Sequence, residues 1–335
     1  MKKEFKFLWI TDPWETLDHM LDTTLRLIEE SVQLGYDNYW CDVRTIQLSE
    51  KKIILKANLV NSVAKERRKE SFIFEQPIFA SPKDFDCIQY RVDAPLDANY
   101  IQPLQLLVLG LDYRAHPVTN RQVELVNVPT SILMSDKTEA LLFDSLMPDT
   151  VVSSQWEILQ DFGSRQGMVV LKPMHCCQSI GVRIIDWYKN THDTNEAYNI
   201  VSKATNDFTT PVVLQQFLRH ITEGEIRLWY LDGNLIGWAK KIPTYDPFII
   251  HIDHGDPVVP VMLNDNELST AKVIGKSLSI RKIRLAAVDI VDNKITDYNY
   301  ISPGLLVQIE NVMGKTLATS IIQQFVDFPK PYFRN

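Results

Sequence analysis

The order of apolar runs at the front of the chain limits the fold most. Phe5 to Ile10 is a short apolar run closed by Thr11-Asp12-Pro13, Thr16 to Leu34 has helical spacing and ends at Gly35, and Asn38 to Val43 is a second strand-like run. A strand, a crossing helix and a second strand bring the chain back in the same direction, which demands a parallel layer covered by helices. Phe85 to Tyr90 adds a third strand. Gln102 to Leu109 is apolar but too short for periodicity to separate helix from strand.

A second unit is expected from Val123 to Val128 onward, with a helix over 135–143 whose early Asp136 suits the helix dipole. Met168 to Leu171, Val212 to Phe217, Arg227 to Leu231, Leu235 to Lys241 and Arg284 to Val291 are strand-like, and Asp232-Gly233 supplies a hairpin turn. The fold class is therefore α/β at the front and α+β, partly antiparallel, behind it. Gly304 to Phe325 is expected to close the chain as helix. At 335 residues, 45% hydrophobic and 23% charged, the chain exceeds one small core and has the composition of a sequence that folds throughout.

A net charge of −7 with dispersed Lys and Arg argues against a nucleic-acid partner. Cys41, Cys87, Cys176 and Cys177 have neither metal-site spacing nor the look of a disulfide framework, which points to a reduced, cytoplasmic setting. No signal-peptide pattern opens the chain, and no apolar run reaches the roughly 18 residues that a membrane span needs.

Three clusters have chemistry in them. Val169-Val170-Leu171-Lys172-Pro173 is a strand that ends in a lysine, followed by a turn through Gln178 to Gly181. Such a lysine can sit on a phosphate, although a solvated lysine is the commoner outcome. Asp289, Asp297 and Asn299 flank an Asp292-Asn293-Lys294 turn, so a hairpin would converge them as hard oxygen ligands suited to Mg²⁺, or leave them as an acidic exposed hairpin. Glu225 and Arg227 share one face of an extended strand, where they can meet a nucleotide or pair with each other.

Taken in order, these clusters resemble the ATP-grasp superfamily, and within it bacterial glutathione synthetase and the RimK-type ligases. Phe7-Leu8-Trp9-Ile10-Thr11-Asp12-Pro13, Leu34-Gly35-Tyr36 and Arg91-Val92-Asp93-Ala94-Pro95-Leu96-Asp97 resemble that family's opening strand, helix end and Arg-Lys-Asp-Pro-Pro-Phe-Asp signature. Ser135-Asp136-Lys137, Pro148-Asp149-Thr150, Leu171-Lys172-Pro173 and Asn299 to Pro303 resemble further family motifs. The resemblance implies a Rossmann-like pre-ATP-grasp domain over 1–122 and an ATP-grasp domain over 123–335, with a lid at about 148–212.

It also implies ATP and Mg²⁺ as cofactors. Lys137 and Lys172 would meet phosphates, Gln178 the lid side, Gln216, Phe217 and Leu218 the adenine hinge, and Glu225 the ribose. Asp289, Asp297 and Asn299 would hold the metal, Arg227 would stabilise an acylphosphate, and Arg91 and Lys241 would bind substrate. The implied reaction joins an amino-acid or peptide carboxylate to an amine, in an enzyme that is plausible as a homo-oligomer.

Two departures shape that expectation. The lid keeps only Gly181 of a glycine-rich loop, although Gln178 and Gly181 fit the Gly-Ser-Gln-Gly-x-Gly spacing of related ligases. Where the family has Arg-Gly-Asn-Leu, this chain has Ile249-Ile250-His251-Ile252, and an isoleucine cannot replace bidentate pairing of arginine with a carboxylate. The expected product is therefore not glutathione. The alternative is a catalytically impaired relative that serves as a nucleotide-binding or protein-interaction module.

Overall fold

The computed structural model describes residues 3–64, 68–111, 123–127, 143, 145–174, 179–188 and 194–327. Lys137, His175, Cys176, Cys177 and Gln178 lie outside the described residues, as does all but the last residue of the helix expected over 135–143.

The front of the chain builds the expected parallel layer. β1 (Lys3–Thr11) pairs in parallel with β2 (Tyr36–Asp42) and β7 (Cys87–Tyr90), and β8 (Glu124–Val126) pairs in parallel with β7. The stretch from Val123, where the second unit was expected to begin, thus adds a strand to the first sheet. The side-chain period of two sends Leu8 and Ile10 to one face, packed with Leu104 and Leu107 of α2 (Ala98–Leu111). Phe7 and Trp9 go to the other, against Leu25 and Ile28 of α1 (Thr23–Gln33).

Two expectations change, and one segment left open between helix and strand is decided. The helix predicted from Thr16 starts only at Thr23, because the Asp22 side chain accepts from Leu25 N at 2.9 Å and caps it there. Asp18, by accepting from Met20 N and Leu21 N, turns the preceding segment instead. The segment around Gln102 is helix. The final segment is two helices, α6 (Leu306–Met313) and α7 (Ala318–Asp327), separated by Gly314 at φ 62°, a left-handed conformation that glycine adopts without steric cost. Sequence reading also passed over the antiparallel extension of the first sheet. There β4 (Lys52–Val63) pairs with β2 and carries β3 (Gln47–Ser49), β5 (Phe72–Phe74) and β6 (Ile78–Ala80).

Two antiparallel sheets follow. In the smaller, β9 (Thr150–Ser153), β10 (Met168–Pro173), β11 (Arg183–Asp186) and β12 (Val212–Gln216) take the order β11-β10-β12-β9. Its buried side packs on α3 (Trp156–Gln166) and α4 (Thr194–Ala204) through Leu159, Phe162, Ala197 and Val201. The larger sheet takes the order β15-β14-β13-β16-β17. Its strands are β13 (Glu225–Leu231), β14 (Asn234–Lys241), β15 (Val258–Val259), β16 (Leu285–Val291) and β17 (Lys294–Asn299). Asp232 (φ 50°) with Gly233 (φ 78°), and Asp292 (φ 53°) with Asn293 (φ 60°), close its two hairpins with the paired positive φ values of a type I′ turn. One face packs on α5 (Asp265–Ile280) through Ile274 and Leu278. The other places Trp229 and Ala287 in the same core as Phe7, Trp9, Ile321 and Phe325. No helix among the described residues is long and apolar enough to cross a membrane.

The first sheet and the larger antiparallel sheet are joined by polar contacts as well as by that shared core. Asn127, 2% exposed, donates to Leu285 O and Tyr300 O at 2.8 and 2.6 Å and accepts from Arg284 N and Leu285 N at 2.8 and 3.1 Å. On α1, Arg26 reaches Glu30 at 2.8 Å and Glu310 of α6 at 2.7 Å. An alanine at position 127 would strand several buried backbone groups, each costing about 1–3 kcal/mol. Asn127→Ala is expected to lower the unfolding free energy in urea by about 3 kcal/mol or more.

Candidate active site

The carboxyl ends of β1 and β7 open on a cleft of about 1260 Å³ whose far wall is formed by the two antiparallel sheets. Ligands of α/β sheets bind outside such strand ends, where the following loops diverge. Along each strand of the far wall, side chains alternate between the core behind and the cleft in front, so the register decides which polar groups meet.

On β13 and β16 the register sets Arg227 opposite Asp289, and on β16 and β17 it sets Asp289 opposite Asp297. Asn299, two residues beyond Asp297, shares that face, and its Nδ2 donates to Asp297 Oδ2 at 3.0 Å. Arg227 grips the Asp289 carboxylate with both arms, Nε to Oδ1 at 2.9 Å and Nη2 to Oδ2 at 2.6 Å. Lys241, opposite Glu225 in the β13–β14 pairing, places its Nζ 2.6 Å from Glu225 and 2.9 Å from Asp289. Thr296 donates its hydroxyl to Glu225. The result is a buried cluster of two cations and two carboxylates, closed by a hydroxyl. Glu225 and Arg227 share a face as expected, yet each pairs across the sheet and not with the other.

Burial opposes ionisation of Asp289, but the charges of Arg227 and Lys241 outweigh it and hold the carboxyl below the usual aspartate value. Burial likewise works against the Arg227 guanidinium, and the neighbouring Asp289, Asp297 and Glu225 more than compensate, raising its pKa. Both groups therefore keep their charges in a place where an unpaired charge would be costly.

Lys172 at the end of β10 donates to Gln215 Oε1 at 2.8 Å and to Thr296 O at 2.6 Å, which aims its ammonium along the same wall. Sequence reading places Gln215 on its strand but gives it no role. A glutamine that directly follows the apolar run Val212 to Leu214 was its available signal, since a buried amide in a strand must find partners. Gln216, Phe217 and Leu218 line the cleft beside this lysine, and the Phe217 ring meets Phe248 edge-on at 5.4 Å. Phe248 belongs to a loop fastened by Asp256, which accepts from Thr244 N, Thr244 Oγ1, Tyr245 N and His251 N at 2.6 to 3.1 Å. Burial acts against that carboxylate, but the four donors win and lower it to about 2. The loop presents Ile249, Ile250 and Ile252 to the cleft, and Ser179 of the lid side donates to Ile250 O at 3.1 Å.

The opposite wall carries Arg91, buried beneath the cleft, with Nε donating to Thr24 Oγ1 at 3.1 Å and Nη2 to Pro303 O at 2.9 Å. The cleft thus gathers every sequence-predicted site residue that lies within the described residues. As donors for a cation, two carboxylates and an amide oxygen suit hard Mg²⁺, and among the described residues Asp289 Oδ1 accepts a single hydrogen bond, from Arg227 Nε.

The sequence matches the prokaryotic glutathione synthetase N-terminal domain over residues 5–132 and the prokaryotic glutathione synthetase ATP-grasp domain over residues 136–314. The chain belongs to the prokaryotic glutathione synthetase family. It is an ATP-grasp ligase, of the kind that forms amide bonds. Among similar proteins is the glutathione synthetase of Rhodopseudomonas palustris, 23% identical over 314 residues that span 92% of this chain and 94% of that one. The glutathione synthetase of Gloeobacter violaceus is 24% identical over 327 residues, 97% of this chain and 98% of that one. Solved structures of the same fold include D-cycloserine synthetase DcsG, with a TM-score of 0.62 at 14% identity over 95% of this chain and 97% of that one. Macrocyclase MdnC, bound with precursor peptide MdnA from Microcystis aeruginosa, has a TM-score of 0.60 at 12% identity over 97% of this chain and 100% of that one.

For this family member the buried charge cluster predicts strong coupling. Lys241→Met leaves Glu225 without its cation and is expected to cost about 3 kcal/mol in urea unfolding, the range measured when one partner of a buried pair is removed. Adding Glu225→Gln should return more than half of that loss in a double-mutant cycle.

Proposed function

We propose that this protein is an ATP-dependent carboxylate–amine ligase that works through an acylphosphate on an amino-acid or peptide substrate and does not make glutathione. The observation that carries the reading is the meeting of Lys172, Arg227 and the oxygen side chains of Asp289, Asp297 and Asn299 on one wall of the cleft.

Transfer of the γ-phosphoryl group to a carboxylate oxygen breaks the bond to ADP. Attack by the amine nitrogen then forms the C–N bond and breaks the C–O bond to phosphate, and the proton shed by the nitrogen passes to the departing phosphate or to solvent. Neither step needs a protein nucleophile. Both need the reactants held in line and negative charge neutralised where it gathers. In this reading Asp289, Asp297 and Asn299 would hold Mg²⁺, which would supply charge neutralisation for the phosphates. Lys172 reaches a phosphate by exchanging its bond to Thr296 O for a phosphate oxygen, while Gln215 keeps its stem oriented. Lys137 would bind a second phosphate and Gln178 would act from the lid side. Arg227, fixed by Asp289 and permanently charged, faces the developing acylphosphate. Gln216, Phe217 and Leu218 form the adenine hinge, and Glu225 stands near the ribose.

Ile249, Ile250 and Ile252 support a product other than glutathione, because they offer apolar contact where the family's arginine would bind a peptide carboxylate. ADP release by the purified protein with Mg-ATP should rise at least tenfold with the right carboxylate and amine from a mixed pool of amino acids, peptides and primary amines, and fall to background in Lys172→Ala. Bound ATP with no substrate-dependent release across the pool would replace the ligase by a nucleotide-binding module.

A further inference from the structure

The wall opposite the charge cluster is unlike a site for an acidic peptide. Away from Lys172, Arg227 and Lys241, the cleft is lined among the described residues by Asp12, Asp18, Asp22, Asp93, Asp97 and Asp253, against Arg44 and Arg91. Several of these acids have local duties. Asp22 caps α1, Asp18 and Asp97 turn the backbone by accepting from their own following N–H groups, and Arg44 is held by Asp42 at 2.6 Å. Asp12 and Asp93 remain as a pair at the ends of β1 and β7, tied together by Asp93 N donating to Asp12 Oδ2 at 2.9 Å. The nearby Arg91 is offset by the adjacent Asp22 charge.

A second observation is independent of the acids. Tyr100 of α2 is 1% exposed and lines the same cavity, and its hydroxyl has no hydrogen-bond partner among the described residues. That hydroxyl stands within electrostatic reach of Arg91, Asp93 and Asp12. A buried hydroxyl left without a partner costs stability, and its neighbours here suit a ligand that brings N–H groups.

We infer that Asp12, Asp93 and the Tyr100 hydroxyl form the subsite for the amine substrate, and that this substrate is a primary diamine or polyamine carrying no carboxylate. The inference rests on the ligase reading and deepens it. The two carboxylates neutralise the distal ammonium, and Tyr100 accepts one of its N–H bonds. An α-amino acid would bring its carboxylate against Asp12 and Asp93, with only the already balanced Arg91 to receive it. The chain of methylenes would lie along Ile249 and Ile252 toward the far wall.

A pH dependence follows from the same geometry. Asp93 is open to the cleft, yet the protein packed around the cavity desolvates its carboxyl and pushes it up to about 6, and the charges of Asp22 and Asp12 add to this while Arg91 and the Ser302 hydrogen bond oppose it. The charged and titratable groups facing Asp93 are thus Asp12 at the end of β1, Asp22 at the start of α1, Arg91 beside it and Tyr100 on α2. Protonation of Asp93 below that value removes half of the paired charge, so the cation should be bound above about pH 6 and released below it.

Calorimetric titration of the full chain with 1,4-diaminobutane, without nucleotide, tests this, with glycine and glutarate as controls and Mg-ADP titrated separately. Diaminobutane should bind at pH 7.5 while both controls do not, and its affinity should drop about tenfold at pH 5, as expected for a group that titrates near 6. Asp93→Asn should weaken it at least tenfold and leave Mg-ADP binding unchanged. Tyr100→Phe should weaken it a few-fold while raising the thermal midpoint, because an orphaned buried hydroxyl is removed. No diaminobutane binding alongside normal Mg-ADP binding would overturn the amine subsite and leave the ligase reading standing, as would glutarate or glycine binding more tightly than the diamine. Loss of Mg-ADP binding in the unaltered protein would instead remove the ligase reading beneath it.

Discussion

The Arg227–Asp289 pair is the interaction on which the site depends. It lies across two adjacent antiparallel strands at directly opposed positions, and its two hydrogen bonds fix a guanidinium and a carboxylate in one plane. Neither charge would be stable alone in that setting. Lys241 and Glu225 extend the pair into a cluster whose charges balance, so the sheet can present polar groups to the cleft at one end while Trp229, two residues along the same face, enters the core shared by both halves of the molecule. Position along one strand thus decides between chemistry and packing.

The other constraint is the join between the halves. The cleft exists because the parallel sheet and the larger antiparallel sheet are held at one side, by the core around Phe7, Trp9, Ile321 and Phe325 and by the four hydrogen bonds of Asn127. The strand ends opposite that join are left apart, and there the wall of Asp12, Arg91 and Asp93 faces the wall of Lys172, Arg227 and Asp297 across the cavity. One wall bears the groups suited to phosphate and metal. The other bears an excess of negative charge.

Much of this was legible from residues alone, for identifiable reasons. The hairpin through Asp292 and Asn293 has a strong local turn signal, and the period of two then converges Asp289, Asp297 and Asn299. The lysine at the end of β10 follows from an apolar run that stops at Lys172-Pro173. What stayed hidden depends on pairings between strands distant in sequence. Nothing local tells that Lys241 answers both Glu225 and Asp289, or that Thr296 O and Gln215 steer Lys172. β4 escaped notice because Ile53, Leu55 and Ala57 alternate inward only briefly before the pattern slips to Val60, where its pairing with β5 shifts. The late start of α1 turned on one aspartate cap, and the acidic wall on bringing Asp12 to Asp93 across 81 residues.

Whether the far wall binds a metal–nucleotide through its oxygen side chains is read from the Mg²⁺ dependence of ADP affinity. Calorimetry on the unaltered protein and on Asp297→Asn, with and without Mg²⁺, separates the outcomes. If Asp297 holds the metal, Mg²⁺ strengthens binding at least tenfold in the unaltered protein and has little effect in Asp297→Asn. Affinity indifferent to Mg²⁺, or the same gain in both proteins, would contradict it.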